Sequence, residues 1–418
     1  MRRLVGVLLA VAAATPAAAA DVPAAGQTST TSSDKRWEAV FDAEARYYSW
    51  TGSLAFPSTT SLKPGSGQLV YVPFGMALTG LPSDDWKLEI GIRSGYVNAR
   101  QSSSEATGSL STMTDTSLTG TVTYNGWNGI QPFLSLNTNL PSGTSALSPS
   151  QQGARMDPDL VGLGAFGEGF NVGVTGGAKI ALSENALVGL GLGYTSRGAY
   201  ERDFTGSSTL GGIGFGIGSF PLNLRLNPGD NITGNVSAAY QVGGLTLQAS
   251  GSLAFETESS LNGAPFYQSG NRYTLEGSAV YAWANAGTTT LNGLWTHTNK
   301  NKVRVDLPTL VEEAFDSNSD IYQMTLEHRF KVANLSFGPS GGYLFRNANS
   351  WDPLTNQFVS RKRRWSAGGV IEYSATDQLS LKARVERVWI WEDPFPAFAT
   401  PSTTSLGWLV SLGGTRTF

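Results

Sequence analysis

The sequence predicts an all-β protein, a single closed antiparallel transmembrane β-barrel of about sixteen strands, with fourteen or twelve as alternatives. Three observations carry this expectation. Apolar and polar residues alternate with a period of two over most of the chain, which is the strand period. The connections between alternating runs are themselves alternately short and long. The composition, with 40% apolar residues, 15% charged residues and 50 glycines in 418 positions, is too polar for a bundle of membrane helices and too Gly-rich and charge-poor for an ordinary soluble α/β enzyme.

The chain opens with an export address. Arg2 and Arg3 precede an apolar stretch, Leu4 to Ala13, and Ala18-Ala19-Ala20 provides a small-residue cleavage site, so residues 1–20 read as a signal peptide cut near Ala20. Removing those two arginines from 29 basic residues leaves 27 against 32 acidic ones. The resulting mild acidity speaks against nucleic acid as a partner. With no Cys, the exported chain relies on hydrogen bonds and packing rather than disulfides. No stretch after the signal reaches the roughly 18–20 apolar residues of a spanning helix, so a membrane-embedded mature chain has to be a barrel. Residues 21–35 are Ser/Thr-rich without periodicity and read as a flexible periplasmic leader before the barrel, 36–418.

Alternation starts at Trp37, with Trp37, Ala39, Phe41 and Tyr47 on one face and Glu38, Asp42, Glu44 and Arg46 on the other. Trp86 to Val97 repeats it, Trp86, Leu88, Ile90 and Ile92 opposing Lys87, Glu89 and Arg93. Further runs fall at about 68–80, 116–125, 129–140, 171–182, 186–196, 231–242, 245–256, 272–285, 288–303, 319–331, 334–347, 363–375, 378–391 and 405–418. Short turns at 81–85, 183–185, 243–244, 286–287 and 375–378 alternate with long loops, the longest including 141–170 and 197–230. One rim of short turns and one of long loops is the organisation of an outer-membrane barrel. Pro73, Pro132 and Pro339 fall inside runs, and each predicts a bulge or a rim position.

Inward phases name the candidate pore lining: Glu38, Asp42, Glu44, Arg46, Lys87, Glu89, Arg93, Arg364, Lys382, Arg384 and Glu386. Because the last strand closes on the first, acidic and basic columns are expected to meet near the seam. They form either a stiffening salt-bridge lattice or a transverse field acting on solutes. Gly189, Gly191 and Gly193 leave lumen space or relieve strain where the sheet bends. The basic run at 361–364 reads as solvated or in contact with anionic head groups, with an anion-attracting mouth as the alternative. Loop 141–170 carries apolar residues with Asp157, Asp159, Phe166 and Glu168, which predicts that it folds inward as a constriction opposite basic wall residues such as Arg93 or Arg384. His297 and His328 lie on lipid-facing phases near opposite rims, which disfavours a hydrolase site or a zinc site. Gly162 to Gly167 spells G-x-G-x-x-G but no helical pattern follows, so it is no dinucleotide site.

Phe166-Gly167-Glu168 in the third loop resembles the acidic constriction of bacterial general porins. A second resemblance rests on PFLSLNTNLPSG at 132–143, on DPDLVGLGAFGEGFNVG at 157–173 and on the Gly-rich strand that follows. This region, about 116–200, is similar to the outer-membrane family named for the meta-pathway of phenol degradation, and the resemblance implies uptake of small aromatic or hydrophobic compounds.

The expected function is passive diffusion of small solutes across the outer membrane of a Gram-negative bacterium. A transporter for aromatic or hydrophobic compounds is the alternative, and a structural barrel with a filled lumen is the second. No chemical step, cofactor or metal is implied. Expected partners are outer-membrane lipid and lipopolysaccharide, the solute, and the barrel-insertion machinery, for which Phe418 at the periplasmic end of the last strand is the signal. Homo-oligomerisation is left open.

Overall fold

A computed structural model describes residues 37–52, 65–103, 107–154, 156–163, 165–204, 209–210, 213–214, 222–284, 286–306, 309–352, 358–393 and 402–418. The expected signal peptide, 1–20, and leader, 21–35, lie outside these residues. The wall consists of sixteen strands: β1 (Trp37–Gly52), β2 (Gly65–Ser83), β3 (Trp86–Ser103), β4 (Thr116–Tyr124), β5 (Ile130–Leu140), β6 (Asn171–Ser183), β7 (Ala186–Arg197), β8 (Asn231–Val242), β9 (Leu245–Glu256), β10 (Arg272–Ala282), β11 (Gly287–Thr298), β12 (Ile321–Val332), β13 (Leu335–Arg346), β14 (Lys362–Thr376), β15 (Leu379–Glu392) and β16 (Thr403–Thr417). Each pairs antiparallel with its sequence neighbours, and β16 closes on β1 from Val40↔Thr417 to Gly52↔Ser405. Closure leaves no barrel edge in lipid. No described helix is long and apolar enough to cross a membrane.

The period of two decides which face meets lipid. Outward positions such as Ile90, Leu134, Leu190, Leu192, Leu326 and Leu412 are large, apolar and exposed. Exposed aromatic residues stand near both rims, Trp37, Trp86, Tyr281, Trp283 and Phe418 at the short-turn end and Tyr194, Tyr322, Trp365 and Trp408 toward the other. An apolar band between aromatic girdles is the outer surface of a membrane barrel. The turn Gly243–Gly244 shows why short turns suffice, since Gly243 takes φ 56°, a conformation open to glycine.

The prolines interrupt pairing without shifting register. Across Pro73 the β1–β2 ladder skips from Ala43↔Phe74 to Arg46↔Tyr71, and across Pro339 the β12–β13 ladder skips from Glu327↔Ser340 to Phe330↔Phe337. In both cases the residue sum of the pairs is unchanged, so no extra residue is inserted. Pro132 lies just beyond the last β4–β5 pair, Thr123↔Phe133, at the short-turn rim. Bulges are therefore absent at these prolines, because each missing N–H falls where one partner strand simply forgoes its bond.

Several long loops extend the wall rather than cap it. Segments Tyr200–Phe204, Leu222–Asn227, Ser259–Leu261, Ala264–Gln268, Lys302–Asp306 and Thr309–Glu312 form a six-stranded antiparallel sheet beyond the barrel rim. Leu226 and Phe266 are buried within it.

Candidate functional site

The third loop, 141–170, folds inward, and its construction begins at its stems. The fourth wall strand breaks at Thr114–Asp115, between the segment Thr107–Met113 and β4, both of which pair with β3. Asp115 uses the break: its carboxylate accepts the Gly143 N–H at 2.9 Å and the Glu168 N–H at 2.7 Å, tying both ends of the loop to one residue. Asn139 completes the staple, its amide donating to Asp115 at 2.7 Å and to the Gly169 carbonyl at 2.8 Å. A Cβ on Gly143 would fall 1.8 Å from the Phe166 carbonyl oxygen, so only glycine lets the stems meet. The Asn-Leu-Pro-Ser-Gly motif is thus the hinge post of an inward loop.

Beyond the stems, Leu147, Ala154, Met156, Leu160, Val161 and Phe166 are buried in the main hydrophobic cluster of the barrel. The wall side of that cluster consists of Tyr48 and Trp50 on β1, Leu69 on β2, Val97 and Ala99 on β3, Leu110, and Val388 and Ile390 on β15. These residues occupy inward phases where a water-filled lumen would otherwise bring polar side chains. Burying Leu147 and Leu160 alone stabilises the folded-in loop by about 3–6 kcal/mol. Glycines permit the contact: a Cβ on Gly108 would lie 2.1 Å from the Gly153 carbonyl carbon, and Leu160 packs 3.6 Å from the Cβ position of Gly407. The loop therefore sits eccentrically, against β1–β3 and β15–β16.

Two short helices shape its tip, α1 (Pro149–Gln152) and α2 (Pro158–Val161). Asp157 caps α2 by accepting the Asp159 N–H at 2.9 Å, and Pro158 takes the first helical position, where its missing N–H has no cost. The same helix docks to the wall by charge. Asp157 pairs with Lys362, while Asp159 meets Lys362 at 3.0 Å and Arg346 at 2.8 Å. Arg364 donates to the Asp159 carbonyl at 2.7 Å, and Arg346 also reaches Glu392 at 3.4 Å. Three cations thus face three carboxylates, which allows the cluster to be buried with Lys362 only 3% exposed. Burial pushes the Asp159 carboxyl up, but Lys362 and Arg346 outweigh it and hold the group well below the usual carboxylate range. Glu168, at the stem, goes the other way: burial raises its pKa, and Arg197 and Arg202 offset this only in part.

Asp157 and Asp159 therefore meet Arg346, Lys362 and Arg364, and Glu168 lies by Arg197 and Arg202, rather than any of them meeting Arg93 or Arg384. The basic run divides by strand phase, Lys362 and Arg364 pointing inward to the loop while Arg361 and Arg363 pair with Asp393 at the outer rim. The remaining wall charges are bound mainly to one another. Glu44 pairs with Arg46 at 2.8 Å and Lys87 with Glu89 at 2.7 Å. Arg384 bridges Glu327 at 2.6 Å and Glu386 at 2.9 Å, and Arg329 pairs with Glu327 and Glu372. Asp42 and Arg93 are 3.9 Å apart and solvent-accessible. Glu38 and Lys382 make no ion pair among the described residues, Lys382 lying within the fields of Arg329, Arg384, Glu327 and Glu44. Most pairs join residues two apart on one strand, and across the seam Glu44 on β1 and Lys382 on β15 lie within each other's fields without forming an ion pair.

Arg346, Glu392, Glu327, Arg329 and Glu372 were not singled out from the sequence, although each shares the inward phase of its strand. His297 faces outward, hydrogen-bonded to Asp320 at 2.6 Å and stacked on Trp295, whereas His328 bonds Thr289 at 2.8 Å at the other rim. Two surface depressions, about 930 and 420 Å³, are floored by Gly176, Gly234 and Gly251 and by Gly277 and Gly293 on outward phases, so they belong to the lipid-facing side. At the C-terminus, the Phe418 N–H donates to the Ala39 carbonyl at 2.9 Å, and Arg416 lies 4.7 Å over the Phe418 ring.

No family model matches the chain, and neither does any curated protein sequence. Among solved structures, OprB of Pseudomonas putida aligns at 12% identity over 92% of this chain and 95% of its own, with a TM-score of 0.45. The outer-membrane channel DcaP of Acinetobacter baumannii aligns at 11% identity over 91% and 97%, with a TM-score of 0.41. An outer-membrane channel of Pseudomonas putida F1 aligns at 12% identity over 91% and 95%, with a TM-score of 0.37. At such identities and scores, what this chain does has to come from its own residues.

Proposed function

We propose that the protein is a passive channel of the bacterial outer membrane for small polar solutes, narrowed by the third loop. The observation that carries this reading is a closed sixteen-strand wall whose inward face is polar and ionised while its constricting loop packs on only one side. A barrel of this strand number leaves an aqueous lumen that wall side chains do not fill. The apolar residues of the loop do not create a pocket for hydrophobic solutes, because Leu147 and Leu160 are each 2% exposed and spend their surface on the wall. Purified barrel in planar bilayers should give stable single-channel steps. Folded protein, verified by heat-modifiable gel mobility, that conducts nothing would instead support a structural barrel.

A further inference from the structure

Across the half of the lumen away from the loop cluster, β4 to β11, inward phases below the extracellular end of the wall carry mainly Ser, Thr, Asn, Gln, Gly and Ala, with Phe133, Leu187, Val280 and Leu294 among them. At that end stand Arg272 and the pair Arg197–Glu256, 3.1 Å apart. Deeper, two charged residues face the lumen from these eight strands, Lys179 on β6 and Glu276 on β10. They share one cross-strand row: Lys179↔Gly189, Gly189↔Ser237, Ser237↔Ser250 and Ser250↔Glu276. Both are half-buried, and among the described residues neither has an ion-pair or hydrogen-bond partner. The Lys179 ammonium instead lies 6.0 Å from the Phe133 ring centroid.

We propose that Lys179 and Glu276 form a two-point binding site for small zwitterions crossing the lumen. This deepens the channel reading and rests on it. On the rest of the wall Arg46, Lys87, Arg329 and Arg384 each have a carboxylate beside them, and the unpaired Lys382 lies within the fields of Glu327 and Glu44, so these fields largely close locally. Here the two charges are separated by Gly189, Ser237 and Ser250, with the Phe133 ring beside Lys179, and the field runs along the wall, oblique to the direction of transport because the strands are tilted. A solute with one charge gains at one end and is repelled at the other. A solute with both charges gains at both, while Ser237 and Ser250 offer hydrogen bonds to the part between.

The spacing sets the size of the solute. Four inter-strand steps place the two Cα atoms about 19 Å apart along the wall. Extended Lys and Glu side chains reduce this to about 9 Å between ammonium and carboxylate. Two charge-assisted contacts of about 2.8 Å leave about 3 Å between the solute's own charges at full extension, and more when either side chain is less extended. A β-amino acid meets the shorter length, and a dipeptide, whose charges stand about 6 Å apart when extended, meets the wider gap left by partly folded side chains.

The test compares proteoliposome swelling in glycylglycine with swelling in N-acetylglycinamide, a neutral molecule of nearly the same shape. The wild type should favour the dipeptide. Lys179→Gln and Glu276→Gln should each lower the preference about threefold, the worth of one water-exposed ionic contact. The exchange Lys179→Glu with Glu276→Lys should restore it, since a zwitterion binds equally well reversed. A preference that neither single change alters, that only one alters, or that the exchange does not restore, with N-acetylglycinamide still permeating, overturns the site. If folded wild type passes neither solute, it is the channel reading that fails.

Discussion

Replacing Lys362 by Met removes the central cation of the buried cluster that docks α2 to the wall. Three cations and three carboxylates become two against three, and Asp157 loses the ionic partner it has in the structure. Breaking a buried pair in this way costs about 3–5 kcal/mol because a charge is left uncompensated. The protein can avoid that cost by letting the loop leave its seat, since the stems are held independently by Asp115. A penalty of 3 kcal/mol shifts the seated-to-released ratio by more than about 100-fold. Single-channel recording should therefore show a larger or noisier conductance for Lys362→Met, and protease should cut within 145–163 faster than in wild type. Adding Asp159→Asn rebalances the cluster at two against two and should recover most of the wild-type trace. If Lys362→Met conducts and resists protease as wild type does, the cluster does not hold the loop and the reasoning is refuted.

Other outcomes follow from the same geometry. The depressed pKa of Asp159 means its stabilising contribution is present above the unfolded value and is lost only as pH falls through the lower folded one. Conductance should therefore stay flat from neutral pH down to about pH 4. Glu168 has the opposite sign: its pKa is raised, so its contribution is present in acid and lost as pH rises through the folded value. Hydrogen exchange of amides 166–170 should slow on acidification beyond the intrinsic chemical effect, and Glu168→Gln should abolish that difference. Asp115→Ala leaves two backbone N–H groups without their acceptor, at about 1–3 kcal/mol each, and should loosen the loop at its root in the protease assay while the barrel stays intact. Arg384→Glu places a third carboxylate beside Glu327 and Glu386, and reversal potentials should move toward cation preference. Deleting Phe418 should reduce membrane insertion in cells; undiminished insertion would separate the last strand's closure from targeting.

The wall was legible because one face of every strand had to be apolar for lipid, and a period of two over ten residues is hard to mistake. The inward fold of the third loop was legible for a related reason: Leu160, Val161 and Phe166 make no sense in water. Its docking partners were not. Arg346 and Lys362 stand at the loop-side ends of β13 and β14, where the sequence shows only basic residues next to a loop, and nothing local distinguishes a solvated cation from a buried one. The inward apolar residues Leu69, Val97, Val388 and Ile390 were the available signal, since side chains of that kind facing a lumen require a cover. The extension of the wall by hairpins was also readable in part. Asn262-Gly263, with φ of 50° and 84°, is a two-residue turn of the type that joins adjacent strands, inside what the alternation alone marks as loop.

That raised sheet changes what can be done to the extracellular side of the molecule. Surface connections ordinarily accept insertions and deletions one at a time. Here Ser259–Leu261 pairs with Leu222–Asn227 on one side and Ala264–Gln268 pairs with Lys302–Asp306 on the other, so the fifth connection is the middle plank between the fourth and the sixth. Excising it would strip hydrogen-bond partners from both neighbours and leave two facing raw edges ready to capture foreign strands. An epitope tag is better placed directly after Gly263, whose Cβ position meets nothing within 4 Å, than along the planks themselves or before Asn262, which exchanges hydrogen bonds of 2.9 and 3.2 Å with Arg225 of the fourth connection.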